Sequence, residues 1–289
     1  MKKLGLALGG GGLKGLAHIG VLQILYDNHI PVNSVSGTSS GSIVAALMAA
    51  GISPYEMEEI VLGLKKKDYI DYDIRGIFRY VLSLVLPGVK GHLDGIIRGC
   101  KLEKLVYQLT RGQKLNDLNM PMAIIACNID TGQEVIFTNR DIPIGDQELV
   151  VINNAFISEA VRASISIPAT FIPKYFAGMQ MVDGGVKDVV PVFVQKNLGA
   201  EYIMAVNLGQ EVYKYTVTGI PRIISRSIDI MTYETSDTSQ HIFADMIINP
   251  HLVNVDLGDM ERAPEIIRAG RRVMKENIED LVRELRLAK

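Results

Sequence analysis

The sequence predicts an α/β fold, a three-layer α/β/α domain around a largely parallel central sheet, followed by a helical C-terminal extension. Three observations carry this expectation. Short apolar runs of strand length alternate with helix-period segments from Met1 to Gly209, the pattern of a sheet covered by helices on both faces. Two of the strand-to-helix turns are rich in glycine. With 289 residues, 48% of them hydrophobic, the chain can bury a substantial core as one large or two coupled domains. No internal repeat or low-complexity linker divides it. Residues 4–210 are therefore read as one domain, and 211–289 as a mainly helical part packed on it rather than an independent unit.

The elements follow in order. Leu4–Leu8 reads as a strand, and Gly9-Gly10-Gly11-Gly12-Leu13-Lys14-Gly15 opens a helix running to about Asp27. Leu13, Leu16, Ala17, Gly20, Val21, Ile24 and Leu25 fall near helical spacing along it, so one face is buried. Val32–Val35 is a second strand behind Pro31, and Ser42–Ala50 a small-residue helix stopped by Gly51. Met122–Cys127 and Glu134–Thr138 are strands joined by a hairpin at Asp130-Thr131-Gly132. Met179–Val182 and Tyr202–Asn207 complete the readable strands. In the last third, Ile220–Tyr233 and Ala263–Leu287 carry helical apolar patterns. Either segment packs on the domain or forms a subunit interface, which leaves a homo-oligomer open.

Between the second strand and its helix stands Gly37-Thr38-Ser39-Ser40-Gly41. Strand, sharp turn and helix are what a G-x-S-x-G nucleophile elbow requires. Gly37 and Gly41 let the Ser39 hydroxyl project while the helix packs close to the strand. The same residues also suit a plain Gly/Ser turn capping a helix.

The glycine run at the first helix start exposes successive N–H groups suited to an anion. Gly10-x-Gly12-x-x-Gly15 matches a dinucleotide fingerprint, but the next strand ends in Ser36-Gly37 and lacks the acidic residue that would hold a ribose. A phosphate-binding P-loop fails because Lys14-Gly15 is followed by Leu16. An oxyanion hole built from Gly10, Gly11 and Gly12 fits best, because consecutive βα loops emerge on one sheet edge and bring the run to Ser39.

A serine hydroxyl needs a base. His18 lies inside the first helix and reads as structural; His29 and His92 lie in loops, while His241 and His251 remain open alternatives. A carboxylate has a better setting, since Met179–Val182 ends in Asp183-Gly184-Gly185 and two glycines bring Asp183 close to another backbone. An Asx-type turn is the bland alternative.

These blocks, with Arg162–Phe171 before the aspartate, resemble the bacterial patatin-like phospholipase family in their residues and their order. The resemblance covers roughly residues 4–210. It implies a Ser39–Asp183 dyad without histidine, an acyl-enzyme, and hydrolysis of acyl esters in phospholipid, lysophospholipid or another acyl-ester lipid, with no metal and no cofactor. Acyl transfer to an alcohol would use the same residues, and a nucleotide-binding regulatory module is the remote alternative. Burial would make the carboxylate a better base than an exposed Asp of pKa about 4, and each oxyanion donor would supply about 3 kcal/mol. One departure stands out: similar proteins carry asparagine where this chain has Val189, which puts the hydrogen bonding of that turn in doubt.

A net charge of −2 without a basic run gives nucleic-acid binding no electrostatic support. Two cysteines exclude a disulfide scaffold and have no metal-ligand spacing. Met1-Lys2-Lys3 and the apolar run after it faintly imitate a signal peptide, yet removing them would delete a core strand, so a cytoplasmic location is expected. Ile77–Leu86, closed by Pro87-Gly88, is too short to span a bilayer. With Arg75, Arg79 and Lys90 beside it, it suits a helix at a membrane surface, with Phe78, Leu82 and Leu86 serving lipid access; an ordinary buried helix is the alternative.

Overall fold

The computed structural model describes residues 1–86, 88, 90–143, 149–209, 216–252, 255 and 258–286. Pro87, the expected boundary at 210–211 and Leu287 lie outside them. The strands are β1 (Leu4–Leu8), β2 (Val32–Thr38), β3 (Met122–Asn128), β4 (Glu134–Thr138), β5 (Leu149–Ile152), β6 (Lys174–Phe176), β7 (Met179–Asp183), β8 (Tyr202–Val206) and β9 (Met246–Ile248). The helices are α1 (Leu16–Asp27), α2 (Ser40–Ala49), α3 (Pro54–Gly63), α4 (Lys66–Tyr69), α5 (Ile74–Val85), α6 (Cys100–Leu109), α7 (Ile157–Ser164), α8 (Phe193–Asn197), α9 (Ile220–Phe243) and α10 (Ala263–Arg286).

The strands form one sheet of order β5-β4-β3-β2-β1-β8-β9, with β7 paired to β3 and β6 to β7. β1 runs parallel to both β2 and β8, β2 to β3, β8 to β9 and β4 to β5. The β3–β4 hairpin and the pairs formed by β7 are antiparallel. The period-2 alternation of the strands sorts their side chains into two cores. Leu4, Leu6 and Leu8, with Ile124 and Phe137, pack with α1, α2, α7 and α10 on one face. Ala7, Ile203 and Ala205 pack with Val190 and Val192 on the other, where Ile125 meets Val194 and Leu198 at α8. Helices on both faces complete the three layers.

Local sequence explains several boundaries. α3 starts at a capping box in which Glu56 N–H donates to Ser53 Oγ and the Glu56 carboxylate accepts from Ser53 N–H, with Pro54 at its first position. α10 crosses α1 at two glycines: a β-carbon on Gly20 would overlap the backbone of Ile267, and one on Gly270 the carbonyl of Ala17. That crossing buries the apolar stripe Ile267, Met274, Leu281 and Leu285 against the sheet domain.

β1 and β4 have the bounds read from sequence. β2 runs three residues past Val35, because Ser36–Thr38 keep pairing with β3 and Gly37 also pairs with Leu8. The C-terminal part is not purely helical, since β9 adds a parallel strand to β8. Among the described residues no helix is long and apolar enough to cross a bilayer.

Candidate active site

Two strands that run towards each other build the site. β2 pairs with β3 up to Thr38↔Ile125, and β7 takes over antiparallel at Ala126↔Asp183. β4 occupies the other edge of β3 over these residues, so β7 must continue on the side of β2. The C-terminal ends of β2 and β7 therefore meet, and with them Ser39 and Asp183.

The Ser39 hydroxyl donates to Asp183 Oδ2 at 2.6 Å, although 144 residues separate the two in the chain. Both residues are buried, with 6% exposure each. Ser39 sits at φ 52°, ψ −124°, a strained conformation for a residue with a side chain. The strain is held by close packing: a β-carbon on Gly37 would lie 2.5 Å from the Gly41 carbonyl oxygen, and one on Gly41 would overlap that of Leu8. The main chain of the elbow is tied down as well. Ser39 N–H donates to Ser164 Oγ at 2.9 Å, and Ser42 Oγ donates to Ser39 O at 2.6 Å. Thr38 Oγ1 donates to the Asp188 carbonyl at 2.8 Å, joining the elbow to the turn after β7.

Asp183 is fixed from both ends. Its N–H donates to the Ser166 carbonyl at 3.0 Å, and its Oδ1 accepts Gly185 N–H at 2.8 Å. The end of α7 and the residues after it thus hold both members of the pair. Arg162 anchors that segment from beneath, donating to Ser166 Oγ at 2.6 Å and to the carbonyls of Arg98 (2.5 Å) and Ile172 (2.6 Å). Burial pulls its guanidinium below the usual arginine range. Farther along the turn, burial pushes the Asp188 carboxyl well above the carboxylate range, and nearby Glu134 adds to the rise.

The glycine run stands beside the elbow, for a β-carbon on Gly10 would lie 3.1 Å from that of Ser39. Its amides divide by partner. Gly9 N–H donates to Val206 O at 3.0 Å and Gly10 N–H to Val189 O at 2.9 Å. The amides of Gly11 and Gly12 meet no protein acceptor among the described residues. Of the three expected oxyanion donors, Gly10 is therefore already engaged. Val189, which stands where similar proteins carry asparagine, contributes its main-chain carbonyl to the glycine loop through this bond.

Below the loop lies His18, fully buried, its Nε2 at 2.8 Å from the Gly9 carbonyl. A carbonyl only accepts, so Nε2 carries the proton. Burial lowers its pKa to about 4 against the help of that bond, so the ring is neutral and serves to position the loop. His29, His92, His241 and His251 are exposed. Sequence reasoning did not assign Ser164, Ser166 or Arg162 a part in the site; the block containing them was visible, but only the fold shows which atoms they hold.

The family model described as "Patatin-like phospholipase" matches residues 6–194, a span that includes the glycine run, Ser39 and Asp183. The chain belongs to the patatin-like phospholipase family. It is 28% identical over 233 residues to "Lysophospholipase NTE1" of Pyricularia oryzae, covering 78% of this chain and 14% of that protein. It is 27% identical over 206 residues to an "Uncharacterized NTE family protein" of Mycobacterium bovis, covering 71% of this chain and 49% of that protein. The chain thus spans half or less of the length of these relatives. Among solved structures, VipD from Legionella pneumophila superposes over 96% of this chain and 67% of its own, with a TM-score of 0.55 at 14% identity; this likeness is one of fold.

Proposed function

We propose that this protein is a serine lipid acyl hydrolase of phospholipase A, lysophospholipase or carboxylesterase type, working through a Ser39–Asp183 dyad. The observation that carries the proposal is the buried 2.6 Å hydrogen bond from the Ser39 hydroxyl to Asp183 beside the glycine run. Asp183 accepts the Ser39 proton as Oγ attacks the ester carbonyl. The N–H groups of Gly11 and Gly12 receive the oxyanion of the tetrahedral intermediate. Asp183 then returns the proton to the departing alcohol, leaving an acyl group on Ser39. Water, deprotonated by the same carboxylate, releases the fatty acid and restores the hydroxyl.

An acyl-ester lipid as substrate is supported by family membership and by the name of the fungal relative, which matches this chain over 14% of its own length. A cytoplasmic location is supported by Cys100 and Cys127, both free thiols, as a reducing compartment would keep them.

The test is to incubate the protein with a fluorophosphonate probe and with lysophosphatidylcholine, following the labelled peptide by mass spectrometry and fatty acid release by chromatography. The proposal expects the label on Ser39 and loss of fatty acid release in step with labelling. A label elsewhere, or release that continues after Ser39 is fully modified, would contradict it.

A further inference from the structure

Helix α5 contains no fully buried residue; Ile77, Tyr80 and Leu82 are half-buried, and its other large apolar side chains are exposed. Ile74, Phe78, Val81 and Val85 follow i, i+4, i+7, i+11 spacing and share one face, with exposures of 74, 64, 51 and 72%. Leu84 and Leu86 flank this stripe and are exposed too, whereas Leu82, grouped with Phe78 and Leu86 from sequence, is half-buried. Scattered exposed apolar residues are ordinary, but a contiguous stripe marks an interaction surface. On its other side the helix meets the segment that follows it, where Ser83 Oγ donates to Gly91 O at 3.5 Å and Arg79 Nε donates to Lys90 O at 3.2 Å.

We propose that α5 is a docking helix that lies in the head-group layer of an anionic phospholipid bilayer. Charge selects this occupant. Residues 64–104 hold nine basic against five acidic side chains, in a chain whose net charge is −2. All nine basic residues are exposed, while of the acids only Asp68 and Asp94 are. The others are drawn inward: Asp71 accepts the N–H groups of Gly99 and Cys100 at the start of α6, and Glu103 pairs with Lys174 at 2.6 Å. Arg75 and Arg79 on the helix itself and Lys90 just after it, all exposed, suit anionic head groups over acyl chains, and their like charge disfavours a second copy. Twelve residues lie on a bilayer and do not cross it.

The helix is also wired to the dyad. Asp73 N–H donates to Ile96 O at 2.8 Å, and Ile96 and Ile97 N–H both donate to Thr170 O. Arg162 joins Arg98 to Ser166, whose carbonyl holds Asp183. A chain of hydrogen bonds therefore runs from the start of α5 to the segment that positions the dyad. The inference rests on the lipid-hydrolase reading for its purpose, while binding itself can be measured alone.

The experiment is co-sedimentation of the full chain with vesicles of ether-linked phosphatidylcholine, with and without ether-linked phosphatidylglycerol. Ether lipids are not cleaved, so binding is read without turnover. The wild type should favour the anionic vesicles, and Val81→Ser/Val85→Ser should weaken that binding about tenfold. Arg75→Gln/Lys90→Gln should weaken it comparably and flatten its salt dependence. Both variants should keep the wild-type circular dichroism spectrum and rate on a soluble p-nitrophenyl ester. Equal binding to neutral and anionic vesicles, or undiminished binding by both variants, overturns the proposal. So does a concentration-dependent dimer that Val81→Ser/Val85→Ser dissolves, since the face would then join copies of the chain. Intact vesicle binding without any ester hydrolysis would support the docking surface and sink only the hydrolase reading.

Discussion

At the candidate active site, Ser39 and Asp183 are buried, and they and the half-exposed glycine loop are held by hydrogen bonds involving β7, α7, Val189 and His18. Along α5, residues just as apolar as those of the core face outward and touch little. The first region is over-determined, because strain at Ser39 persists only where its surroundings leave no alternative. The second leaves an apolar face exposed by its own chain, the face proposed to meet a bilayer. Function divides the same way: chemistry needs fixed atoms, and access to an interface needs a surface left unsatisfied.

Substitutions should make that contrast measurable. The largest effect is expected at Gly41→Ala, where the new methyl group meets the Leu8 carbonyl. Urea unfolding should show a loss on the order of 3 kcal/mol, and a loss below about 1 kcal/mol would mean that the elbow has slack.

Next comes His18, neutral in the fold with a pKa of about 4 against about 6.5 in the unfolded chain. Between these values the unfolded state binds the extra proton. Stability should therefore fall as pH drops from about 6.5 to about 4, by roughly 3 kcal/mol from this group alone. The difference between wild type and His18→Gln across that window isolates it, and parallel curves would refute it.

Ser164→Ala removes the acceptor of the Ser39 amide and leaves a buried N–H unpaired. It should cost about 1–3 kcal/mol and lower kcat more than it changes KM, as steady-state kinetics on a soluble ester would show. The smallest effect belongs to α5: Leu84→Ser, at an exposed position, should shift stability by no more than about 0.5 kcal/mol. A larger shift would show that the helix is packed after all.

The candidate site was legible in the sequence because its constraints are local. Glycines at fixed offsets from Ser39 and after Asp183 announce tight turns, and β1 and β4 are bounded by turn residues. What the sequence hid is long-range or short. The partner of Gly10 N–H is Val189, and no spacing rule links positions so far apart. β6 and β9 have three residues each, too few to show a period. α9 runs ten residues beyond Tyr233, through a polar stretch with no apolar repeat to mark it. The exposure of α5 was hidden for another reason, since an apolar run reads alike whether it faces a core or a membrane.

The central claim is that Asp183, with no histidine, activates Ser39. It is tested most directly by p-nitrophenyl ester hydrolysis with Ser39→Ala, Asp183→Asn and each of the five histidines replaced by Gln, folding being checked by circular dichroism. The account predicts that the first two lose activity by a factor on the order of 10³ or more, while none of the histidine variants falls by more than about tenfold. A folded Asp183→Asn protein that retains activity, or a histidine variant as inactive as Ser39→Ala, would contradict it.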